Sequence, residues 1–496
     1  MPSPTLLAAI DLGSNSYRLE IGRVEHGHIE RIEYLKETVR QGGGLDSDRK
    51  LTPEAMHRGW ACLARFAERL QGFDRRCVRA VATQTLREAR NRDAFLQRAQ
   101  DILGYPIDVI PGREEARLIY SGVSRLLPQS PERRLVVDIG GRSTELILGE
   151  GMEPSVMESY RLGSVAWSMR YFPDGVLSER ALATAQLAAE AILDEAVSLY
   201  PPSAWDSAYG ASGTIGAIGD VLGAAGFEPN VITRKALGWL REQLLHARTA
   251  ERLQLAGLKE DRKPVIGGGL SVLLAVFNLL GMDRLSVATG ALRHGVLYDL
   301  LERDRPETDL RAATVRRLAQ VFHVDLQQSA RVERVATTLF TQLQHGVADP
   351  SERYLRKLGW AATLHEIGTR ISHSDYHKHG AYILEHADAP GFSVPELHRL
   401  GLLVLGHRGK LRKLDADFED DDFVRQLLSL RLAVILCHAR REPDLKALTL
   451  SQDLPQRRFT LAVRDGWVTR YPQSAHLLRD EAVAWQKTSW TFEPGV

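Results

Sequence analysis

The sequence has little cysteine and lacks several motifs that identify common protein classes. Its 496 residues include three cysteines, Cys62, Cys77 and Cys437, without any CxxC spacing. So small and odd a set argues against a disulfide framework and favours a reducing cytoplasm. The N-terminal segment has no basic region and no cleavage site, so we expect no signal peptide. The motif GxxxxGK[ST] is also absent, which excludes a P-loop kinase.

The chain also lacks a strong net charge. It carries 64 Lys and Arg against 63 Asp and Glu, a formal net charge of +1 at pH 7. Overall charge therefore gives no reason to expect nucleic acid as a partner, and any path for a polyanion must be a local basic track. The composition, 44% hydrophobic and 26% charged, is that of a soluble globular protein of several domains.

One uncharged run, from Val265 to Met282, approaches the length of a membrane span. It contains three consecutive glycines, Gly267 to Gly269, and only the part after them has helical character. We therefore predict a buried helix that is entered through a glycine loop, without an integral membrane segment. Peripheral association with a membrane stays open at this point.

The main feature of the sequence is a stretch that it carries twice. AAIDLGSNSYRLEIG begins at Ala8 and LVVDIGGRSTELILG begins at Leu135. At a constant offset (138 − 11 = 127), the copies pair Asp11 with Asp138, Gly13 with Gly140, Ser16 with Ser143 and Gly22 with Gly149. Each copy predicts an apolar strand that ends in an acidic residue, a turn of small residues and a second strand.

Such turns suit phosphate, because glycine lets the backbone approach an anion and N–H groups and hydroxyls can hold its oxygens. We predict a cradle for the terminal phosphate that consists of Ser14, Asn15, Gly140, Gly141 and Ser143. Two ordinary hairpins with Asp-Gly turns are the alternative. The repetition of the whole pattern favours a shared site.

The duplicated hairpins, with GREEARLIYSG before the second and GASGT after it, resemble the exopolyphosphatase/guanosine pentaphosphate phosphohydrolase family. That family belongs to the superfamily of sugar kinases, actin and chaperone ATPases. The resemblance implies an α/β fold: a duplicated, two-lobed, actin-like (ribonuclease H-like) domain, then an all-α HD-like domain and a small α+β domain. It also implies a homodimer. With a charged linker at 302–309, we expect domains at 1–128, 129–302, 308–445 and 446–496.

Two residues of the first lobe are candidates for catalysis. In GREEA, Glu114 and Glu115 lie in the first turn of a predicted helix, where acidic residues commonly complement the helix dipole. The resemblance assigns the catalytic glutamate to the second of them, Glu115, which would order and deprotonate a water. Arg87, at a corner between strand and loop, is a candidate for stabilising transition-state charge, although it could equally be a surface arginine.

Further residues are candidates for binding phosphate or metal. Ser212, Gly213 and Thr214 begin a predicted helix, which makes either an anion site or a plain cap. Arg142 stands where the family usually has a glycine, so it either contacts phosphate or points outward. The candidate ligands of a metal are Asp11, Asp138 and Glu145. We expect Mg²⁺, with Mn²⁺ as an alternative and a monovalent cation such as K⁺ as a further candidate.

The region beyond residue 302 is predicted to be helical and holds eleven of the 16 histidines. His365 is followed by Glu366 where HD phosphohydrolases have Asp, which argues against a second metal centre. We expect packing histidines and anion contacts, some of them protonated beside phosphate. The candidates for distal contacts with a polyanion are His377, His379, Arg408, Lys410, Arg412 and Lys413. The acidic run from Asp415 to Asp422 could neutralise the basic one.

These features favour a cytoplasmic exopolyphosphatase that releases orthophosphate processively from inorganic polyphosphate by Mg²⁺-assisted attack of water. Hydrolysis of the 5′ terminal phosphate of guanosine pentaphosphate (pppGpp), a stringent-response nucleotide, would use the same residues and is the first alternative. A kinase of the same fold and a polyphosphate-binding protein without activity are further alternatives. The sequence separates the two substrates poorly.

Overall fold

The computed structural model describes residues 6–25, 27–303, 308–344 and 352–496. The chain forms two compact units, Met1–Thr308 and Asp309–Val496. Residues 304–307 of the predicted linker lie outside the described residues. The division into four domains is finer than this and stays a prediction.

The first lobe of the first unit is built on a five-stranded sheet with the order β3-β2-β1-β4-β5. Its strands are β1 (Leu6–Leu12), β2 (Ser16–Glu25), β3 (His28–Thr38), β4 (Val78–Ala82) and β5 (Ile107–Val109). Its helices are α1 (Pro53–Arg69), α2 (Gln84–Glu88), α3 (Arg92–Leu103) and α4 (Gly112–Ser124). The first predicted hairpin is β1–β2, which is antiparallel, and β1 runs parallel to β4. As predicted, Pro53 starts α1 and Thr52 caps it.

The second lobe repeats this plan around a six-stranded sheet with the order β10-β11-β9-β6-β7-β8. Its strands are β6 (Arg133–Ile139), β7 (Thr144–Glu150), β8 (Glu153–Tyr160), β9 (Ser207–Ala211), β10 (Val231–Thr233) and β11 (Arg284–Val287). Its helices are α5 (Ser164–Tyr171), α6 (Glu179–Leu193), α7 (Ala196–Leu199), α8 (Ser212–Ala224), α9 (Arg234–Ala247), α10 (Ile266–Leu279) and α11 (Leu292–Arg303). The second predicted hairpin is β6–β7, also antiparallel. The predicted duplicated, two-lobed α/β fold is confirmed.

The expectation for the glycines at 267–269 was wrong. They lie inside α10, which begins at Ile266, and not in a loop before it. A Cβ atom on Gly268 would lie 2.6 Å from the Ser164 carbonyl oxygen, so glycine allows α10 to pack closely on α5. The helix is apolar on all sides because it is buried on all sides. Among the described residues, no helix is long and apolar enough to cross a membrane.

The second unit is helical first and mixed at its end. Its helices before the last sheet are α12 (Leu310–Val321), α13 (Leu326–Leu343), α14 (Glu352–Leu364), α15 (Tyr376–His386), α16 (Val394–Gly406) and α17 (Asp421–Leu436). The mixed part comprises β12 (Leu448–Asp453), β13 (Arg458–Val463), α18 (Trp467–Arg470), α19 (Pro472–Trp485) and β14 (Thr491–Pro494). One apolar core extends through both parts. This agrees with the predicted order of a helical region followed by an α+β region.

Two helices, α4 and α11, join the two lobes. They contribute to a shared core with side chains from both sheets, including Ala9 of β1 and Val136 of β6. The two helices approach closely, since a Cβ atom on Gly295 would lie 1.8 Å from the Leu118 carbonyl oxygen. The first turn of α4 carries Glu114 and Glu115, so this packing fixes where both carboxylates lie.

We therefore expect Gly295→Ala to destabilise the protein by about 1–3 kcal/mol, because the new methyl group must push a backbone carbonyl away. Thermal unfolding followed by circular dichroism measures the effect. Gly238→Ala, in the interior of α9, is the matched control, because its Cβ atom would meet nothing within 4 Å. That control should be neutral or more stable by up to about 1 kcal/mol. Equal unfolding temperatures for both variants would contradict the close packing of α4 and α11.

Candidate active site

The two hairpin turns open onto one cavity of about 280 Å³ in the first unit. Eleven of the predicted site residues line it: Asp11, Ser14, Asn15, Glu115, Asp138, Gly140, Gly141, Ser143, Ser212, Gly213 and Thr214. They come from the carboxyl ends of β1, β6 and β9 and from the first turns of α4 and α8. Ligands of α/β proteins usually bind at such strand ends. The duplicated pattern thus produces a single site that both lobes share.

The backbones of the two turns nearly touch. A Cβ atom on Gly141 would lie 2.9 Å from the Ser14 Cβ atom and 3.4 Å from the Asn15 nitrogen. Behind the second turn, the N–H of Ser164 donates to the Gly140 carbonyl oxygen at 2.9 Å. Thr85 donates its hydroxyl to the Ser14 oxygen at 2.7 Å. Both turns are therefore fixed before any ligand arrives, as a preorganised phosphate site requires.

Ser212 begins α8 in an unusual conformation. Its φ is +88°, in the left-handed region that side chains other than glycine rarely adopt. Its hydroxyl accepts hydrogen bonds from the N–H groups of Thr214 at 3.2 Å and Ile215 at 3.3 Å. Ser212 thus caps the helix and also lines the cavity, and binding of an anion there stays a prediction.

Glu115 is buried at the cavity wall, with 7% of its surface exposed. Arg87 donates to its carboxylate at 2.7 Å and also to the Ile110 carbonyl oxygen at 2.8 Å. Gln84 holds the other side of the same guanidinium, at 2.7 and 3.0 Å. Arg87 is not among the residues that line the cavity. In this structure it positions Glu115; its role in stabilising transition-state charge stays a prediction.

The two hairpins differ in charge at one equivalent position. Asp11 pairs in register with Arg18, and the guanidinium binds the carboxylate at 2.9 Å. At the same offset (145 − 18 = 127), Asp138 pairs in register with Glu145. The first lobe thus neutralises its aspartate, whereas the second lobe places another carboxylate beside its own. Arg18 therefore binds Asp11, which the sequence analysis gave as a candidate metal ligand. That role stays a prediction.

The second carboxylate pair carries an uncompensated charge. Glu145 is fully buried; Ser159 donates to one of its carboxylate oxygens at 2.7 Å, and the other oxygen has no hydrogen-bond partner. Burial, and then repulsion from Glu115, raise the pKa of Asp138 to about 7. Burial raises the pKa of Glu145 well above its usual value, and repulsion from Glu115 and Asp138 adds to this. Burial also raises the pKa of Glu115, which Arg87 opposes.

These carboxylates fit a hard divalent cation. An orphaned buried oxygen and two raised pKa values mark a place where positive charge is missing. Among the residues that the structure describes, no three His, Cys, Asp or Glu side chains converge closely enough to hold a metal alone. Mg²⁺ suits this arrangement, because it usually takes one or two protein carboxylates and completes its shell with water and phosphate oxygens.

Arg142 lies outside the cavity that it was a candidate to line. Its guanidinium binds the Glu88 carboxylate at 2.7 and 3.1 Å and donates to the Gly42 carbonyl oxygen at 3.0 Å. These contacts join the second hairpin to the first lobe. The sequence analysis left open whether Arg142 contacts phosphate or points outward. In this structure its side chain lies outside the cavity, and a contact with phosphate stays a prediction.

The sequence analysis missed a basic group at the cavity wall. Arg18, Lys36 and Arg262 all line the cavity, from β2, β3 and the short 3-10 helix Glu260–Val265. Burial and repulsion from Arg262 lower the pKa of Lys36, and burial and repulsion from Arg18 lower the pKa of Arg262. The three cations therefore crowd one another, and an anion among them would relieve that repulsion. Comparing the two repeats could have found Arg18, which occupies the position in the first repeat that Glu145 occupies in the second.

Three histidines of the second unit have a lowered pKa in this structure, which favours their neutral form. Burial lowers the pKa of His365 and lowers that of His407 well below its usual value. Burial, with repulsion from Lys413 and Arg408, lowers the pKa of His377 to about 4. His379, which also lies on α15, is half-buried. The role of His377 and His379 as anion contacts stays a prediction.

The basic run of the second unit is exposed. Arg408, Lys410, Arg412 and Lys413 all face solvent, and Arg408 stacks over Tyr376 at 4.7 Å. Among the described residues, no acidic side chain pairs with Lys410, Arg412 or Lys413. The acidic residues that follow bind other arginines: Glu419 binds Arg457, Asp420 binds Arg399 and Asp422 binds Arg425. Glu419, Asp420 and Asp422 are thus engaged elsewhere, whereas the side chain of Asp415 lies outside the described residues.

Comparison with known proteins identifies the family of the chain. Residues 20–304 match the model of the Ppx/GppA phosphatase family, and residues 310–482 match that of Ppx/GppA phosphatase, domain III. A guanosine-5′-triphosphate,3′-diphosphate pyrophosphatase of Pseudoalteromonas translucida is 37% identical over 99% of this chain and 98% of its own. The protein of that name from Vibrio atlanticus is 39% identical over 98% of both chains.

A solved structure is also similar to a large part of the chain. The exopolyphosphatase from Cytophaga hutchinsonii is 25% identical, with a TM-score of 0.53, over 60% of this chain and 97% of its own. The matched region and the relatives' full-length coverage leave no large part of the chain unaccounted for. The chain belongs to the Ppx/GppA phosphatase family, whose members are hydrolases that act on phosphoanhydride bonds.

Proposed function

We propose that this enzyme hydrolyses guanosine pentaphosphate at its 5′ terminal phosphate, releasing orthophosphate and leaving guanosine tetraphosphate. The full-length relatives at 37–39% identity, named for this nucleotide, carry the choice of substrate. This reverses the order of preference that the sequence alone favoured, in which polyphosphate came first. Both substrates end in a phosphoanhydride and would use the same cradle.

The charge distribution in the cavity supports a substrate with more than one phosphate group. Ser14, Asn15 and Gly141 form a cradle for the terminal phosphate, and the cations Arg18, Lys36 and Arg262 line the same cavity. A nucleotide with phosphate chains on both its 5′ and 3′ positions has a second anionic group for these cations. Arg262 packs against Gly213, where a Cβ atom would lie 2.4 Å from its guanidinium.

The chemistry follows from the position of Glu115. A water on the cavity side of its carboxylate would attack the terminal phosphorus, and Glu115 would take the proton as the bond to the bridging oxygen breaks. The bridging oxygen, with its negative charge, would stay on the departing guanosine tetraphosphate, and the oxygen of the attacking water would become part of the released orthophosphate. Asp138 and Glu145 would hold Mg²⁺, which when bound neutralises phosphate oxygens. Arg87 keeps the Glu115 carboxylate at the wall of the cavity.

Exopolyphosphatase activity is the second candidate. The exposed and unpaired basic run from Arg408 to Lys413 favours it, since a long polyanion binds such residues by releasing counterions. The similar structure named an exopolyphosphatase also supports it for the first unit. A kinase and a silent binding protein are less well supported, because Glu115 and both aspartates line one cavity in a family of phosphatases.

Orthophosphate release from guanosine pentaphosphate and from long polyphosphate, with Mg²⁺, tests the choice of substrate. We expect kcat/KM to be higher for guanosine pentaphosphate; a higher value for polyphosphate would favour the second candidate. Glu115→Gln should lower kcat by about 10²–10⁴-fold and leave substrate binding close to wild type, because Gln still accepts from Arg87. Glu150→Gln, at an exposed position on β7, is the control. Full turnover by Glu115→Gln would remove Glu115 from the mechanism.

The raised pKa values of the buried carboxylates predict how stability depends on pH. In the folded state the pKa of Asp138 is about 7, above its unfolded value near 3.8, and that of Glu145 is raised in the same direction. The stability that their protonated forms contribute is therefore complete below about pH 4 and is lost as the pH rises through about 7. Without metal, we expect the unfolding temperature to fall between pH 5.5 and pH 8 by a few degrees.

Glu145→Gln removes one of these charges and provides the comparison. Its unfolding temperature should exceed that of the wild type at pH 8 without metal and match it more closely at pH 5.5. Mg²⁺ should raise the wild-type unfolding temperature more at pH 8 than at pH 5.5, and should do so less in the variant. If the two proteins show the same pH and Mg²⁺ dependence in calorimetry, Glu145 is not part of a cation site.

The second candidate predicts a role for the basic run. Reversing Lys410, Arg412 and Lys413 to Glu should weaken the binding of long polyphosphate by about tenfold or more and affect tripolyphosphate little, because only the long chain makes extra contacts. The matched control reverses three scattered exposed residues of the same unit, Arg316, Arg479 and Lys487. Equal losses for the two chain lengths, measured by competition binding, would remove this run from polyphosphate recognition.

A further inference from the structure

One side chain of the second hairpin turn points away from the cavity and reaches the first lobe. Arg142 stands between two residues of the predicted phosphate cradle, Gly141 and Ser143. Its counterpart in the first repeat, at the constant offset (142 − 127 = 15), is Asn15, which lines the cavity. Arg142 instead binds Glu88, at the end of α2 in the other lobe. The two turns therefore use equivalent positions differently: one lines the cavity and the other joins the lobes.

The partner of Arg142 is a carboxylate with both oxygens in use. Arg142 donates to Oε2 of Glu88 from Nε at 3.1 Å and from Nη2 at 2.7 Å. Gln84 donates its amide to the other oxygen, Oε1, at 2.6 Å. The exposed fractions of the Arg142 and Glu88 side chains are 18% and 14%, so solvent screens this ion pair less than it screens a surface pair.

From Glu88 the contacts continue to the proposed general base. The amide of Gln84, whose nitrogen binds Glu88, accepts with its oxygen from Arg87 at 2.7 and 3.0 Å. Arg87 in turn donates to the Glu115 carboxylate at 2.7 Å. Because an amide has its donor and its acceptor on different atoms, Gln84 fits this place in one orientation. A continuous chain of side-chain hydrogen bonds therefore extends from Arg142 to Glu115.

The short helix α2 carries the three middle members of this chain. Gln84, Arg87 and Glu88 are spaced i, i+3 and i+4, which places them on one face of the helix. Gln84 is buried, with 5% of its surface exposed. Among the described residues, no buried nitrogen or oxygen of these three side chains lacks a hydrogen-bond partner. A shielded and fully satisfied network of this kind is rigid, so a change at one end affects the other.

The same arginine also contacts the loop that holds the first hairpin turn. Its Nη1 donates to the Gly42 carbonyl oxygen at 3.0 Å, and the N–H of Gly42 donates to the Ser14 carbonyl oxygen at 2.7 Å. A Cβ atom on Gly42 would lie 3.0 Å from the Arg142 Cδ atom and 3.0 Å from the Ser14 Cβ atom. Arg142 is thus connected to both phosphate turns and, through α2, to Glu115.

We propose that Arg142 is a positioning residue: through Glu88 and α2 it fixes Arg87, and so the Glu115 carboxylate, relative to the phosphate turns of both lobes. The inference rests on the proposed function, in which Glu115 takes a proton from the attacking water. It requires no contact between Arg142 and the substrate. Misplacing a reacting group by about 1 Å can cost about 10²-fold in rate, so Arg142 affects kcat from outside the cavity.

A double-mutant cycle on orthophosphate release tests the proposal, with whichever of the two candidate substrates the enzyme turns over faster. We expect Arg142→Ala and Glu88→Ala each to lower kcat by about tenfold and to change KM by less than about threefold. Because both variants break the same chain of contacts, the double variant should be no slower than the slower single variant. Arg142→Lys should recover most of the rate, since both contacts of Arg142 with Glu88 go to one oxygen, which an ammonium group can bind.

The matched control removes another ion pair of the second lobe. Arg133, at the start of β6, binds Asp206 at 2.6 Å, and about half of each side chain is exposed. Arg133→Ala should leave both kcat and KM unchanged, because this pair has no part in the chain of contacts. Thermal unfolding followed by circular dichroism checks that each variant is folded at the assay temperature.

Three outcomes would overturn the proposal. Wild-type kcat in folded Arg142→Ala would leave Arg142 with a structural role only. A raised KM at unchanged kcat would assign Arg142 to substrate binding instead. Additive losses in the double variant would show that Arg142 and Glu88 act separately.

The Glu115→Gln variant separates these outcomes from a failure of the proposed function. If Glu115→Gln releases orthophosphate at the wild-type rate, Glu115 is not the general base and both proposals fail. If Glu115→Gln is inactive while Arg142→Ala matches the wild type, only the positioning role of Arg142 fails. In the Glu115→Gln background, Arg142→Ala should lower the residual rate less than about twofold, because the group that it positions is gone.

Discussion

Buried negative charge at the meeting point of the two lobes is the constraint on which this site depends. Asp138, Glu145 and Glu115 are all buried; Glu115 raises the pKa of both Asp138 and Glu145, and Asp138 raises that of Glu145 as well. Such an arrangement is unfavourable in a protein interior unless protons or cations balance it. The fold tolerates it because two rigid hairpins and one helix turn hold the carboxylates in place. In our proposal, a bound cation supplies the positive charge that this cluster of carboxylates lacks.

The duplication explains how one lobe came to differ from the other without any change of backbone. Both hairpins pair the residue at the strand end with the seventh residue after it, but that partner is Arg18 in the first lobe and Glu145 in the second. The first lobe is therefore neutral at this point and adds a cation to the cavity wall. The second is anionic and suits a metal. A symmetric backbone thus supports an asymmetric reaction.

Placing Glu115 is the task of a second group of buried charges. Arg117 binds Glu114, which lies three residues before it on α4, and also binds Asp299 of α11. Arg79 of β4 binds the same aspartate. These contacts fix Glu114 on the side of α4 that faces α11, so the helix turns the adjacent Glu115 toward the cavity. Arg87 then binds the Glu115 carboxylate, and Gln84 accepts a hydrogen bond from Arg87 and so holds its guanidinium in place. Packing therefore divides the two glutamates: Glu114 is bound by Arg117, whereas Glu115 lines the cavity.

The sequence predicted those parts of the fold and site that depend on local pattern. The hairpins, the start of α1 and the position of Glu115 in a first helical turn all follow from strand alternation, caps and turn residues over a few positions. Lys36 and Arg262 were missed because nothing near them in sequence differs from a solvated surface; only the fold brings them to one cavity. The contacts of Arg87 and Arg142 could not be predicted for the related reason that their partners, Glu115 and Glu88, lie far along the chain.

The size of the first cavity bears on how substrates are distinguished. The first cavity, of about 280 Å³, surrounds the predicted place of the terminal phosphate. The terminal phosphate is the same group in a nucleotide and in polyphosphate, so the cradle of Ser14, Asn15 and Gly141 cannot separate them. Discrimination must come from residues that contact what lies beyond that group. In the first unit, Arg18, Lys36 and Arg262 hold that position, and since each comes from a different element, specificity is a property of the assembled lobes.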